Sequence, residues 1–418
     1  MIKRTIYPKL LDHLKNPEIT ILIGSRQAGK TTLMELLKSE LQARGEETVS
    51  FNLDREEDNF YFESQIALVD KLKLNFGDKK GYVSIDEIQR LENAGLFLKG
   101  IYDRNLPYKF VVTGSGSLEL KEKIHESLAG RKRMFEISTL SLEEFVNYKT
   151  NYKYEDKLNE FFRVETQLSN SLLKEYLLWG GYPRVVLAQK ESDKIAVVSD
   201  IYHSYLEKDI KQLLGITKGE EFTKLLMILA DQIGKVANVS EISSTLGIDR
   251  ETTKKYLWLL KKTFIIGEIR PFYKNLRKEL TKRSVFYFND LGMRNYILNR
   301  LNQKNLEIDG GFLFQNLVYF SLKDIIVTKS SKVNYWRTVD GAEVDFVINS
   351  GTAVWPIEIK YSNLKEIKIT RSMNSFIDAY HPQKMTIINL LLNKKEKINN
   401  VEFEALPIGE LITISNRD

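Results

Sequence analysis

The chain has 418 residues, a net charge of +6, 43% hydrophobic and 28% charged residues, and no cysteine. That length predicts two to four domains. The missing thiols exclude disulfides, thiolate zinc sites, iron–sulfur clusters and cysteine nucleophiles.

No apolar run approaches the roughly eighteen residues of a membrane span. Met1–Leu14 lacks the long apolar stretch of a signal peptide, so a cytoplasmic protein without membrane partners is expected. His13, His125, His203 and His381 include no pair with metal-site spacing. A metal is therefore expected to be a hard ion on oxygen ligands, Mg²⁺ first.

Residues 19–145 alternate short apolar runs with helical stretches. Ile19–Ile23 reads as a strand, Lys30–Ala43 as a helix and Thr48–Leu53 as a second strand. Gln65–Leu72 reads as helical, Tyr82–Ile85 and Lys109–Thr113 as strands, and Arg133–Ile137 as a fifth. Strand–helix alternation predicts a mainly parallel α/β sheet, with ligands at the carboxyl ends of its strands. Beyond it, 151–215 reads as helical, 216–300 as helices followed by a basic stretch, and 301–418 as a return to strands.

At the first strand end, Gly24-Ser25-Arg26-Gln27-Ala28-Gly29-Lys30-Thr31, followed by Thr32, matches G-x-x-x-x-G-K-[ST]. The glycines let the loop turn so that backbone N–H groups face phosphates, and the helix that follows adds positive potential. Lys30 is expected on the β and γ phosphates of ATP, and the Thr31 hydroxyl on Mg²⁺. Asp86, ending the strand Tyr82–Ile85, is expected to hold Mg²⁺ through its water shell, and Glu87 to polarise the attacking water. An acidic pair after a strand can also simply cap a helix. Thr113 or Ser115, at the end of the next strand, would hold the water or sense the γ-phosphate. Arg131, in Ala129-Gly130-Arg131-Lys132-Arg133, would serve as an arginine finger on a neighbouring subunit's ATP; Arg133, Arg184 or a plain basic surface are the alternatives.

Residues 218–283 hold fourteen Lys or Arg against eight Asp or Glu, an excess equal to that of the whole chain. Such concentration suggests an anionic partner, DNA first. Val239–Asp249 and Arg250–Leu260 read as helix, tight turn at Gly247, helix. Ile248, Thr252, Tyr256 and Leu259 would form the apolar stripe, and Arg250, Lys254 and Lys255 the DNA-facing charges. Lys274, Arg277 and Lys278 follow in a basic stretch expected to touch phosphates as a wing. A helical bundle that binds no DNA would look similar.

Asp345 and Glu358-Ile359-Lys360, with twelve residues between the two acids, follow the order D-(x)n-E-x-K. Two carboxylates there would hold Mg²⁺ and Lys360 would orient a water. Alternation puts Glu358 and Lys360 on one strand face.

With these segments stand Leu128-Ala129-Gly130-Arg131, Leu140–Phe145, Gly180-Gly181-Tyr182-Pro183, Leu206–Ile210, Tyr287–Gly292 and Gly341–Phe346. Together they make the chain resemble, over nearly its full length, prokaryotic P-loop ATPases of the extended AAA+ group with a C-terminal domain of unassigned function. The resemblance implies a P-loop AAA+ ATPase domain at 1–150, a helical lid or linker at 151–215, a winged helix at 216–300, and a restriction-endonuclease-like α/β domain at 301–418. One departure stands out. The helix opening the terminal domain usually carries Glu before Asn in this group, whereas here Gln315 precedes Asn316. A neutral Gln315 binds Mg²⁺ poorly, which counts against cleavage, although Glu343, Asp345 and Glu358 remain.

Three functions compete. A DNA-dependent motor or remodeller would show hydrolysis stimulated by nucleic acid and assemble as a homo-oligomer. A nucleotide-controlled switch would hold nucleotide tightly and expose a surface for a protein partner. An ATP-licensed defence nuclease would cut DNA through Asp345 and Glu358.

Overall fold

The structure is a computed structural model that describes residues 2–114, 127–206, 219–273, 279, 283–326, 331–351 and 353–414. Contacts gather the chain into two compact units. The first is Met1–Thr139 with Asp200–Thr217 and Lys262–Ile265; the second is Leu140–Ser199, Lys218–Lys261 and Ile266–Asp418. The stretch expected as a lid is thus divided between them. The helix-turn-helix stretch and the terminal strands share one unit.

The first unit is a five-stranded parallel sheet. Its strands are β1 (Ile19–Gly24), β2 (Thr48–Asn52), β3 (Gly81–Asp86), β4 (Tyr108–Thr113) and β5 (Lys132–Ile137), in the order β2-β3-β4-β1-β5. β1, β3 and β4 are buried along their whole length, as expected of parallel strands covered on both faces. Alternation sends Ile21, Val83, Ile85 and Val112 into one apolar layer. Leu22 and Val111 go into the other, with Leu33, Met34 and Leu37 of the helix Lys30–Ala43. The helix Gln65–Phe76 runs four residues past its expected end. Phe76 lies flat on Gly81, where any Cβ would meet the ring at 2.5 Å.

The second unit is built on a nine-stranded sheet. Its strands are β6 (Val236–Ala237), β7 (Ile266–Pro271), β8 (Ser284–Phe288), β9 (Lys332–Arg337), β10 (Glu343–Asn349), β11 (Val354–Ile359), β12 (Lys384–Asn389), β13 (Lys394–Ile398) and β14 (Val401–Pro407). The order is β13-β14-β12-β11-β10-β9-β7-β8-β6. β7 and β8 pair antiparallel on either side of the basic stretch expected as a wing. The outer side of β7 pairs in parallel with β9, Arg270 opposite Asn334 and Pro271 opposite Tyr335. The hairpin is therefore sewn into the terminal sheet rather than standing apart.

Two glycine motifs lock the helical part of this unit. Asp290 caps the helix Leu291–Ile297 by accepting from Met293 N–H (3.0 Å), and its other oxygen accepts from Gly181 N–H (2.8 Å). A Cβ at Gly292 would sit 2.0 Å from the Trp179 carbonyl oxygen. Gly180-Gly181 and Asp290-Leu291-Gly292 are thus two halves of one close backbone contact. No helix among the described residues is long and apolar enough to cross a membrane.

Candidate functional site

Every fixed position of the glycine loop has a physical reason. Gly24 has φ 149°, and a Cβ there would lie 2.0 Å from the Ile137 carbonyl oxygen on β5. Gly29, with φ 97°, caps the helix Lys30–Ala43. Gln27, with φ 57°, also takes a left-handed turn. Ala28 and Ser25 are buried, Arg26 and Gln27 half-buried, and Thr31 and Thr32 exposed on the first turn. The Lys30 ammonium folds under the loop and donates to the carbonyls of Gly24 (3.1 Å) and Ser25 (2.8 Å).

Arg4, which carries no sequence signature, clamps the loop. Its guanidinium donates to the carbonyls of Ala28 (2.8 Å) and Ser138 (2.7 Å). The motif says nothing about a residue twenty positions upstream, and only the fold brings it there.

Asp86 ends β3 with 4% exposure. Thr31 Oγ1 donates to its Oδ2 at 2.9 Å, and Thr113 Oγ1 donates to its Oδ1. The expected metal pair, Thr31 and Asp86, is therefore in direct contact. Thr113 is directed at the carboxylate itself. Ser115, the alternative to Thr113, lies outside the described residues. Glu87 adopts φ 57° and ψ 41°, and its Oε2 accepts from Gln89 Nε2.

A hydroxyl and a carboxylate at hydrogen-bond distance form a hard-oxygen donor set that suits Mg²⁺. Those two residues would hold it, and the ion would supply charge neutralisation at the β and γ phosphates.

Arg131 forms an ion pair with Asp103 of its own chain, Nε to Oδ1 at 2.6 Å. A half-exposed pair of this kind contributes about 1 kcal/mol or less and can be exchanged for another anion.

In the second unit, Asp345 lies where the β9–β10 register shifts between Val344 and Val347, and such a bulge re-aims a side chain. Its Oδ1 accepts from Gln315 Nε2 and its Oδ2 from Ile359 N–H, both at 2.7 Å. The Gln315 carbonyl rests over Gly234, where a Cβ would approach to 2.5 Å. Lys360 Nζ donates to Glu358 Oε1 at 2.8 Å, as the expected shared face requires. Burial, and then the neighbouring Glu358, pushes the Asp345 carboxyl up to about 8. Burial raises Glu358 as well.

Glu343 lies at the edge of this group: it is exposed and faces Arg337 at 3.8 Å, and its charge adds a smaller upward push on Asp345 and Glu358. Among the described residues no three His, Cys, Asp or Glu side chains form a metal cluster. Asn316 is structural, donating to the Phe288 carbonyl (2.9 Å) and accepting from its N–H (2.8 Å).

The helix-turn-helix geometry is present. The helices Val239–Leu246 and Arg250–Lys262 flank Gly247 at φ 67°. Ile248, Tyr256 and Leu259 are buried as the expected stripe requires, and only the Thr252 position departs from it. Thr253, not Thr252, is fully buried and accepts from Ser243 Oγ at 2.9 Å. Thr252 instead completes the Asp249 cap, its N–H donating to Oδ1 at 2.8 Å. Arg250, Lys254 and Lys255 are exposed. Lys274, Arg277 and Lys278 lie outside the described residues.

Residues 16–146 match a family described as AAA domain. Residues 170–304 and 310–411 match two families described as domains of unknown function, DUF8612 and DUF4143. An uncharacterized protein of Mycobacterium tuberculosis is 24% identical, covering 92% of this chain and 79% of its own. An uncharacterized Haemophilus influenzae protein is 24% identical over 91% of this chain and 92% of its own. One from Methanocaldococcus jannaschii is 24% identical over 98% and 88%.

Solved structures align at low scores. The replication initiator DnaA bound to AMPPCP and single-stranded DNA is 15% identical with a TM-score of 0.31, over 63% of this chain and 90% of that one. Cdc6p from Pyrobaculum aerophilum is 11% identical with a TM-score of 0.28, over 73% and 97%. The first unit has the P-loop α/β fold, with the second, mixed sheet added to it.

Proposed function

We propose that the chain is a Mg²⁺-dependent ATP hydrolase that couples turnover to remodelling of, or movement along, DNA in the cytoplasm. The observation that carries the catalytic half is the meeting of Thr31 and Asp86 at 2.9 Å in front of the buried Lys30. Phosphates would take the place of the Gly24 and Ser25 carbonyls as partners of Lys30 and would face the loop's N–H groups. Glu87 takes the proton of a water whose oxygen bonds to the γ-phosphorus. The bond from that phosphorus to the bridging oxygen breaks, ADP leaves with the electron pair, and the proton passes to solvent. Thr113 fixes the Asp86 carboxylate. Arg131 would act in a homo-oligomer by leaving Asp103 for a neighbour's phosphate.

The DNA half rests on the exposed Arg250, Lys254 and Lys255 of a helix-turn-helix. We read 216–300 as a winged helix joined to a terminal module that grips DNA or a partner. Gln315 argues against cleavage, because its amide already occupies Asp345. The test is steady-state ATP hydrolysis with Mg²⁺, alone and with single-stranded, duplex or branched DNA, with Lys30→Ala as control. Stimulation by one DNA form supports the reading. Slow turnover indifferent to all of them turns it toward a nucleotide-controlled switch.

A further inference from the structure

Two carboxylates stand side by side at the end of β3, and the structure treats them differently. Asp86 takes both threonine hydroxyls. Glu87 has a left-handed backbone, and its carboxylate accepts from the Gln89 side-chain amide.

Gln89 sits at the centre of the single 3₁₀ turn Ile88–Arg90. That turn is fastened on both sides. Ile88 is fully buried in the core under β3. Arg90 Nε donates to Asp54 Oδ1 at 2.6 Å, and Arg90 N–H donates to the Glu87 carbonyl at 3.0 Å. The amide is thus presented from a fixed bracket to one oxygen of a side chain with three rotatable bonds.

We infer that Gln89 is a positioning residue for Glu87. It holds Oε2 so that Oε1 faces the attacking water. The inference rests on the ATPase reading above. The chemistry explains why an amide serves here. A general base must lie within hydrogen-bond reach of the proton it takes, and loss of alignment costs one to two orders of magnitude in rate. A lysine or arginine in the same place would align the carboxylate too, but its charge would depress the basicity that the step needs. A neutral N–H donor fixes the oxygen without bringing a formal charge beside it.

The test is Gln89→Met, which keeps length and packing volume but removes the donor. Hydrolysis is measured in multiple and single turnover, with melting temperature as a check on folding. The expected result is a roughly tenfold fall in kcat with KM for ATP and melting temperature unchanged. In a Glu87→Gln background, followed by single-turnover hydrolysis over hours, Gln89→Met should produce no further fall.

A wild-type rate with Gln89→Met overturns the inference. So does a loss that tracks KM or melting temperature, or an equal loss in the Glu87→Gln background. A wild-type chain that hydrolyses no ATP overturns the ATPase reading and this inference together, so the two failures are distinguishable.

Discussion

The Gln315 side chain donates to Asp345 Oδ1 across 2.7 Å, so a neutral amide stands where a carboxylate would set a second acid beside Asp345. The relationship predicts the behaviour of Gln315→Glu. At about pH 9, where Asp345 is ionised, and without divalent metal, the new carboxylate repels Asp345 and the melting temperature falls by several degrees, since about 1 kcal/mol moves it roughly 2–4 °C in a unit of this size. With millimolar Mg²⁺ the loss is recovered. Thermal scans in EDTA and in Mg²⁺ check this. Identical curves would show that these carboxyls form no cation pocket.

The same pair gives a pH dependence. Asp345 has a folded-state value near 8, far above an unfolded carboxyl. A raised carboxyl contributes stability that is complete below the unfolded value, near 4, and is lost as pH rises toward 8. Gln315, the Ile359 N–H, Glu358 and Lys360 face this carboxyl, with Glu343 farther off. Glu358→Gln removes the nearest negative charge while its amide oxygen still accepts from Lys360. It should leave the melting temperature at pH 5 near wild type and raise it by about 2–4 °C at pH 8, flattening the slope between. An unchanged slope would mean that the two carboxyls do not communicate.

Arg4 holds the glycine loop through Ala28 and reaches Ser138. Losing one well-placed hydrogen bond costs about 1 kcal/mol, close to fivefold in affinity. Arg4→Ala should therefore weaken ATP-analogue binding roughly threefold to tenfold, read by calorimetry, with little change in melting temperature. An unaltered affinity would make Arg4 a surface tie only.

Asp290→Ala leaves two buried N–H donors, those of Met293 and Gly181, without their acceptor. A lost cap and an unsatisfied donor together cost about 2–4 kcal/mol. Chemical denaturation should show a midpoint shift of that size. Asp290→Asn should recover part of it, because its amide oxygen keeps one acceptor.

On the helix Arg250–Lys262, Lys254 is already paired with Glu251 at 2.6 Å, whereas Lys255 is exposed beside it. If this face meets DNA phosphates, Lys255→Ala should lower the slope of log affinity against log salt by about 1, and Lys254→Ala by less. Fluorescence anisotropy over a salt series decides it. Equal slopes for wild type and both variants would remove this helix from the DNA interface.

Much of the first unit was legible because its signals are local. Parallel strands buried on both faces read as apolar runs, and a glycine loop between strand and helix tolerates few alternatives. The helix Lys30–Ala43 and the strands around it accordingly fall within a residue or two of expectation. What sequence could not show was long-range. Arg4 has no local signature. Thr113 reaches Asp86 only because β4 lies beside β3 in the sheet. At one position of the buried stripe of the second helix Thr253 stands in for Thr252, which serves the Asp249 cap, and a polar residue at helical spacing does not declare which role it fills. In the terminal sheet, spacing identified Asp345, Glu358 and Lys360. The bulge that aims Asp345 at Gln315 depends on register, which alternation alone does not fix.

The pairing of β7 with β9 limits how this protein could have been assembled from interchangeable parts. Separating the hairpin from the terminal strands would strip two backbone ribbons of their partners and bare two raw sheet edges. The segments 216–300 and 301–418 are therefore poor cassettes. A cut in the connection between them should leave fragments that remain together until denatured, and a chimera that replaces only one of them inherits an edge with no mate.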